Sequence, residues 1–293
     1  MPGYYERKTS RAAYWCQRLA LVCIPYFVLT ILLHRFGKVT TPQVFWLIAF
    51  GLLMLVSSLA LAARAVFDLW SRGDRGGGAM FTGCLLSLAM LAPFVWYGWL
   101  AAIHPVMNDI STNAASPPPF IEAARIRQAG RDAGMNQLIT YDQAYSDLMI
   151  AAYPKVGSRR YDSGALRIYS AVRALIADRG WRTIATRGIP QAGKDNEAEN
   201  PPTKENGGNG DNGEAPLNPD APLNIEIEAV ASSLIFGFKS DVAIAITSEA
   251  ESTLVDMRSA SRYGAHDFGA NAALIEKFLA DLDKALIGIA GEG

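Results

Sequence analysis

The residues best suited to chemistry lie in one short segment near the C-terminal end of the chain. Seven polar side chains fall within 14 residues: Arg258, Ser259, Ser261, Arg262, His266, Asp267 and Asn271. Their pattern predicts the end of a strand, a turn at Gly264 and the start of a helix. Two arginines beside a helix N-terminus favour negative charge, because the first N–H groups of a helix are free and its dipole is positive there. This predicts a site for a phosphate, a carboxylate or a lipid headgroup, formed by Arg258, Arg262, His266, Asp267 and Asn271.

The same segment also has a purely structural interpretation. Asp267 or His266 can cap the helix, and Asn271 can tie the turn to the sheet through buried hydrogen bonds. Strand–turn–helix joints routinely need such residues to satisfy the free N–H groups of the helix. On this interpretation we expect Arg262 to be a buried structural residue.

Arg258 is expected to differ from Arg262. It lies within a predicted strand and can pair with Glu226 or Glu228 across the sheet. We expect it to be the more exposed of the two arginines.

Catalysis is the alternative function. Ser259 or Ser261 can act as a nucleophile if His266 folds back to activate it, which would make the protein an envelope hydrolase of esters or phosphoesters. The sequence has no G-x-S-x-G motif, phosphate loop, dinucleotide fingerprint or metal-ligand spacing. We therefore assign no catalytic residues outside this alternative.

Composition excludes other classes. The chain has a net charge of −1 and a pI of about 6.3, so it offers no basic field for nucleic acid. Its three cysteines all lie in the apolar N-terminal third: Cys16, Cys23 and Cys84. With only three histidines in addition, we expect no metal site and no cofactor.

Half of the residues are hydrophobic and only 19% are charged, against about 25% in a typical soluble domain. Most of the long apolar runs lie before residue 104. A membrane-spanning helix needs about 20 apolar residues. The runs predict a membrane domain over 1–104 with three transmembrane helices, at about 19–34, 43–64 and 79–103.

Basic residues near the predicted spans set the orientation. Seven lie on the side of the N-terminus: Arg7, Lys8, Arg11, Arg18, Arg64, Arg72 and Arg75. Two lie on the other side, Arg35 and Lys38. This bias predicts a cytoplasmic N-terminus in a bacterial inner membrane, with residues 104–293 in the periplasm. No charged residue interrupts the apolar runs, which favours an anchor over a transport pathway.

The remaining chain reads as an α+β domain over 105–287. Apolar spacing predicts a helix that ends at Gly180, strands on either side of residues 190–222, and a last helix at about 267–287. Strands in series between helices predict an antiparallel sheet covered by helices on one face. Residues 190–222 are acidic, rich in Asn, Gly and Pro, and free of aromatics, which predicts a disordered insertion.

Several strings of this domain resemble the DUF1499 family. They are residues 255–264 (VDMRSASRYG), 267–271 (DFGAN), 236–242 (FGFKSDV), 108–112 (NDIST), 117–120 (PPPF), 152–154 (AYP) and 180–181 (GW). Ser240 and Ala245 differ from the family pattern, in which an acidic and a basic residue are common there. A charged site that uses those two positions is therefore not expected here. The family's function is unknown, so the resemblance implies the module and not its activity.

Together these features predict a membrane-anchored protein of the cell envelope. Its outward-facing domain would be a non-enzymatic binding or scaffold module. The expected partners are the lipid bilayer, a small anion or lipid headgroup, and another envelope protein.

Overall fold

Three long apolar helices form the N-terminal part of the protein in a computed structural model, which describes residues 8–189 and 223–289. They are α1 (Arg11–Arg35), α2 (Thr41–Arg72) and α3 (Gly77–Ile103). All three are long and apolar enough to cross a membrane, which confirms the prediction of three long apolar helices in this part of the chain. Each helix is longer than its predicted apolar run. Helix α1, for example, begins where the Ser10 hydroxyl accepts a hydrogen bond from Ala13 N–H.

Small residues let the three helices pack closely. A side chain at Gly83 would meet the Cys16 sulfur at 2.6 Å, and one at Gly51 would meet the Phe27 ring at 2.5 Å. At the centre of the bundle the Ser87 hydroxyl donates to Ser58, and the Ser58 hydroxyl donates to the Cys16 carbonyl. Close backbone approach and short polar contacts of this kind hold helices together in a membrane.

The rest of the described chain is built on a six-stranded antiparallel sheet. The strands are β1 (Asp109–Ser111), β2 (Arg159–Tyr161), β3 (Arg182–Arg187), β4 (Asn224–Ser232), β5 (Lys239–Ser248) and β6 (Thr253–Ser261). The strand order is β1-β6-β5-β4-β3, and β2 also pairs with β6. Four helices complete the domain: α4 (Glu122–Ala129), α5 (Gln143–Ala152), α6 (Ala165–Asp178) and α7 (Ala270–Ile289).

One face of the sheet is apolar and is covered by α6 and α7. Alternate residues of the central strands, such as Ile244 and Met257, point into a core with Val172, Phe278 and Leu282. This confirms the predicted fold class, an α+β domain with helices covering one face of an antiparallel sheet. The predicted disordered insertion at 190–222 lies outside the described residues.

The opposite face is lined mostly by polar residues and carries a thinner layer that contains α4. In the structure the two buried residues of α4 are Ala123 and Arg127. The helix therefore presents a charged side chain to the sheet, because the sheet offers it a buried carboxylate.

Candidate functional site

The candidate site residues divide between the two faces of the sheet. Successive residues of a strand point to opposite faces. Ser259 therefore points towards α7, where it donates to Asn271, whereas Arg258 points to the face that carries α4. The structure thus does not bring both arginines to the start of α7.

Arg258 forms a buried two-pronged ion pair with Asp109 of β1. Its Nε and Nη2 atoms lie 2.9 and 2.7 Å from the two carboxylate oxygens. The guanidinium also donates to the carbonyl of Ile139 and lies 5.0 Å from the rings of Phe120 and Tyr141. Burial alone would lower the pKa of Arg258, but Asp109 outweighs it and raises that pKa.

Arg258 therefore does not match two expectations. It pairs with Asp109 rather than with Glu226 or Glu228. Its exposed fraction is 6%, against 5% for Arg262, so the two arginines are equally buried.

Arg262 shares a second carboxylate with Arg127. The Nε and Nη2 atoms of Arg262 lie 2.9 and 2.6 Å from one oxygen of Asp241, and Arg127 Nε lies 2.8 Å from the other. Arg127 also donates to the backbone carbonyls of Ala260 and Ser261. All three charged residues are at most 5% exposed. The cluster joins α4 to β5 and to the end of β6.

A third buried carboxylate, that of Glu228, lies at the start of α4. Glu228 accepts hydrogen bonds from the backbone N–H groups of Ile121, Glu122 and Ala123, and from Arg187. Burial by itself raises the pKa of Glu228, but these bonds to the ionised form outweigh it and lower that pKa. The free N–H groups of α4 thus have an internal anion, as helix N-termini favour.

The residues on the α7 side form a second hydrogen-bond network. Asn271 accepts from the Ser259 hydroxyl at 2.8 Å and donates to the Ser261 hydroxyl and the Asn108 carbonyl. Asp267 accepts from the N–H groups of Gly269 and Asn271, both at 2.9 Å. Burial raises the pKa of Asp267, against the effect of those hydrogen bonds. This network caps α7 and ties it to β6.

His266 does not reach either serine. Its Nδ1 accepts from the Phe268 N–H at 2.9 Å, so the proton of the neutral ring is on Nε2, which lies 3.3 Å from the Ala101 carbonyl. The Ser259 and Ser261 hydroxyls are bonded to Asn271 instead. The structure therefore lacks the serine–histidine hydrogen bond that the hydrolase alternative requires.

The turn before α7 contacts the end of the third membrane helix. Phe268 has a φ of 57°, the only positive value found for a non-glycine residue in the described chain. Its ring packs edge-on against Tyr97 of α3, with ring centroids 5.5 Å apart. A side chain at Gly269 would meet the His104 ring at 2.9 Å. A bulky residue in this strained conformation persists only where its surroundings hold it.

The same turn is hydrogen-bonded to the segment that links α3 to β1. Asp267 N–H donates to the Met107 carbonyl, and Ser261 N–H donates to the Asn108 carbonyl. The Asn108 side chain donates a hydrogen bond to the Gly264 carbonyl.

Among the residues that the structure describes, no group of three or more His, Cys, Asp or Glu could hold a metal ion.

A family model described as a protein of unknown function (DUF1499) matches residues 109–282. The chain belongs to the DUF1499 family. The match begins at Asp109, the partner of Arg258, and ends within α7, so it includes both networks except Asn108. Neither the curated proteins nor the solved structures gave a match to the chain.

Sequence reasoning missed four charged residues of the site. Asp109 and Asp241 lie in strings that carry the DUF1499 resemblance, and those strings were the one sequence feature that could have identified them. Glu228 was assigned only as a partner of Arg258. No feature of the sequence indicated that Arg127 is buried, since an arginine in a short polar helix is normally exposed.

Proposed function

We propose that this DUF1499 protein is a membrane-anchored, non-enzymatic scaffold or binding module of the cell envelope. Residues 1–104 form its membrane domain, and residues 105–287 form a domain that is held in a defined orientation on the bundle. The signature residues serve this positioning, and the charged side chains beneath the sheet hold the domain together.

The contact of the signature turn with α3 carries the proposal. The strained Phe268 packs on Tyr97, His266 lies at the Ala101 carbonyl, and Gly269 lies under His104. A flexible tether would need none of these contacts. They favour a module whose distance and angle to the membrane matter, as a scaffold requires.

The basic residues support an outward-facing domain in a bacterial inner membrane. The end of α3 lies on the same side as the loop between α1 and α2, which carries two of the nine basic residues near the spans. The basic excess is thus on the side opposite the domain, which favours a periplasmic location. A reporter that is active only in the periplasm, fused after Gly293, should be active. Activity of a cytoplasm-specific reporter at the same fusion site would contradict the orientation.

The docking is tested by hydrogen exchange on the full chain in detergent. Phe268→Gly relieves the positive φ but removes the ring, whereas Phe268→Asn also tolerates this conformation and keeps a side chain. We expect both variants to increase exchange in peptides that cover residues 97–110 and to leave β4 and β5 unchanged. Unchanged exchange over 97–110 would show that the turn does not orient the domain.

An anion or lipid-headgroup site at the signature arginines is the competing proposal. A bound anion would have to displace Asp109 from Arg258 or Asp241 from Arg262. A ligand that binds only the folded state raises the melting temperature by mass action. We expect inorganic phosphate to leave the melting temperature unchanged in the wild type and in Arg258→Ala. A rise in the wild type that Arg258→Ala abolishes would favour the anion site instead.

A further inference from the structure

The turn between β4 and β5 carries exposed apolar side chains beside the membrane helices. It comprises residues 233–238, with the sequence SLIFGF, and is called the β4–β5 tip here. Leu234 is 86% exposed and Ile235 is 60% exposed. Leu234 is the most exposed large hydrophobic residue that we find outside the three helices in the described chain. Isolated exposed apolar residues are common, so position decides whether this pair has a role.

The β4–β5 tip lies against the ends of two membrane helices. His34 Nδ1 lies 2.6 Å from the Phe236 carbonyl, and Arg35 Nη1 donates to the Leu234 carbonyl at 2.7 Å. The Phe238 ring lies 5.8 Å from the ring of Phe45, near the start of α2. The tip is therefore at the level where α1 leaves the apolar part of the bilayer and α2 enters it.

Several backbone groups of the tip have hydrogen-bond partners, including the carbonyls of Leu234 and Phe236. The Ser233 carbonyl accepts from Gly237 N–H, and the Phe238 carbonyl accepts from Ser233 N–H. The Leu234 and Phe236 carbonyls contact the side chains of Arg35 and His34. Unpaired backbone groups are what exclude loops from lipid. Satisfying these carbonyls lowers the cost of placing the tip in the interface.

The charged residues on the two segments that meet at the tip are all basic. Arg35, Lys38 and Lys239 are exposed on the segments that meet there. Residues 34–45 and 232–240 contain no acidic residue. Apolar side chains surrounded by basic ones fit the surface of a bilayer that contains anionic phospholipid.

We propose that the β4–β5 tip is a second membrane-binding element, in which Leu234 and Ile235 insert into the bilayer interface while Lys38 and Lys239 bind the phosphates of anionic phospholipids. The domain would then be fixed at α3 through the signature turn, at α1 and α2 through the backbone and Phe238 of the tip, and at the lipid surface through Leu234 and Ile235. The proposal does not depend on which side of the membrane the domain occupies.

Spin labels on the full chain in vesicles test the insertion. Leu234→Cys and, as a control, Leu166→Cys each carry a label in a Cys84→Ser background, because Cys16 and Cys23 are buried. Leu166 of α6 is also an exposed apolar residue. In vesicles of phosphatidylcholine and phosphatidylglycerol, the ratio of collisions with oxygen to collisions with a water-soluble nickel chelate should be several-fold higher at 234 than at 166. Equal ratios would overturn the proposal.

The tip could instead pack against a second copy of the chain, which is the competing explanation of its exposed apolar residues. It would broaden the spectrum of the label at 234, and dilution with unlabelled protein would remove the broadening. That result would overturn insertion into lipid. Unchanged spectra on dilution, with the high collision ratio, would support it.

The role of the basic residues is tested by charge removal. Lys38→Gln with Lys239→Gln is compared with Lys155→Gln with Lys277→Gln, which removes the same charge from exposed positions outside the tip. Raising the phosphatidylglycerol content should increase the collision ratio at 234 in the wild type and in the control pair, but not in the first pair. The same increase in all three proteins would refute the headgroup contact.

Discussion

Replacing Asp241 by asparagine should destabilise the sheet domain severely. Asp241 is fully buried, and both its oxygens are used, one by Arg262 and the other by Arg127. An asparagine can keep its carbonyl oxygen towards Arg262. Its amide group would then face Arg127 Nε at about the 2.8 Å of the present bond, where two donors would meet. Two buried arginines would also lose their countercharge.

Breaking a buried ion pair costs about 3–5 kcal/mol, because the remaining charge stays buried without a partner. A domain of this size loses about 2–4 °C of melting temperature for each kcal/mol. We therefore expect Asp241→Asn to lower the melting temperature by about 6–20 °C. Thermal melting of the full chain in detergent measures this, and hydrogen exchange of the β5 and β6 peptides locates the loss.

Asp256→Asn is the matched control. Asp256 is also buried and lies on the same face of the neighbouring strand, but it accepts from the neutral side chains of Thr112, Asn113 and Ser158. An asparagine can keep its carbonyl oxygen on Thr112 and Ser158 and loses only the 3.4 Å bond from Asn113. Losing this one long bond costs about 1 kcal/mol, or about 2–4 °C. If the two variants melted at the same temperature, the charge of Asp241 would not be what holds this face together.

Because the pKa of Glu228 is lowered by folding, its contribution to stability should be lost as the pH falls below the ordinary value of 4.5, and Glu228→Gln should flatten that decline in melting temperature. Because burial raises the pKa of Asp267, losing its charge does not by itself destabilise the fold. Asp267→Asn keeps only one of the two bonds from the Gly269 and Asn271 N–H groups and should melt below the wild type, while Asp267→Ala leaves both buried N–H groups unpaired and should melt lower still. Gly269→Ala should destabilise the protein more than Gly264→Ala, since both have positive φ but only the first meets the His104 ring, and adding His104→Ala should remove the difference in melting temperature.

Local patterns in the sequence determined the architecture. Uninterrupted apolar runs predicted the three membrane helices, because a bilayer tolerates little else over about 20 residues. Val242, Ile244 and Ile246 alternate with polar or small residues along β5, a pattern that by itself places them on one face, and helical spacing with Gly180 defined α6. These signals are short in range, and each is repeated over many residues. The string of polar residues at 255–271 likewise identified the family, since several of them recur in fixed order.

Only the tertiary structure decided what the signature does. Strand pairing sends Arg258 to one face of the sheet and Ser259 to the other, and only the placement of β1 brings Asp109 to Arg258, 149 residues away in the chain. The burial of Arg127 depends on a carboxylate 114 residues further on. The orientation of His266 away from the serines follows from the turn that docks on α3. A charged or polar side chain has the same local signature whether it is solvated, paired or catalytic, so its partner must be seen in the folded chain.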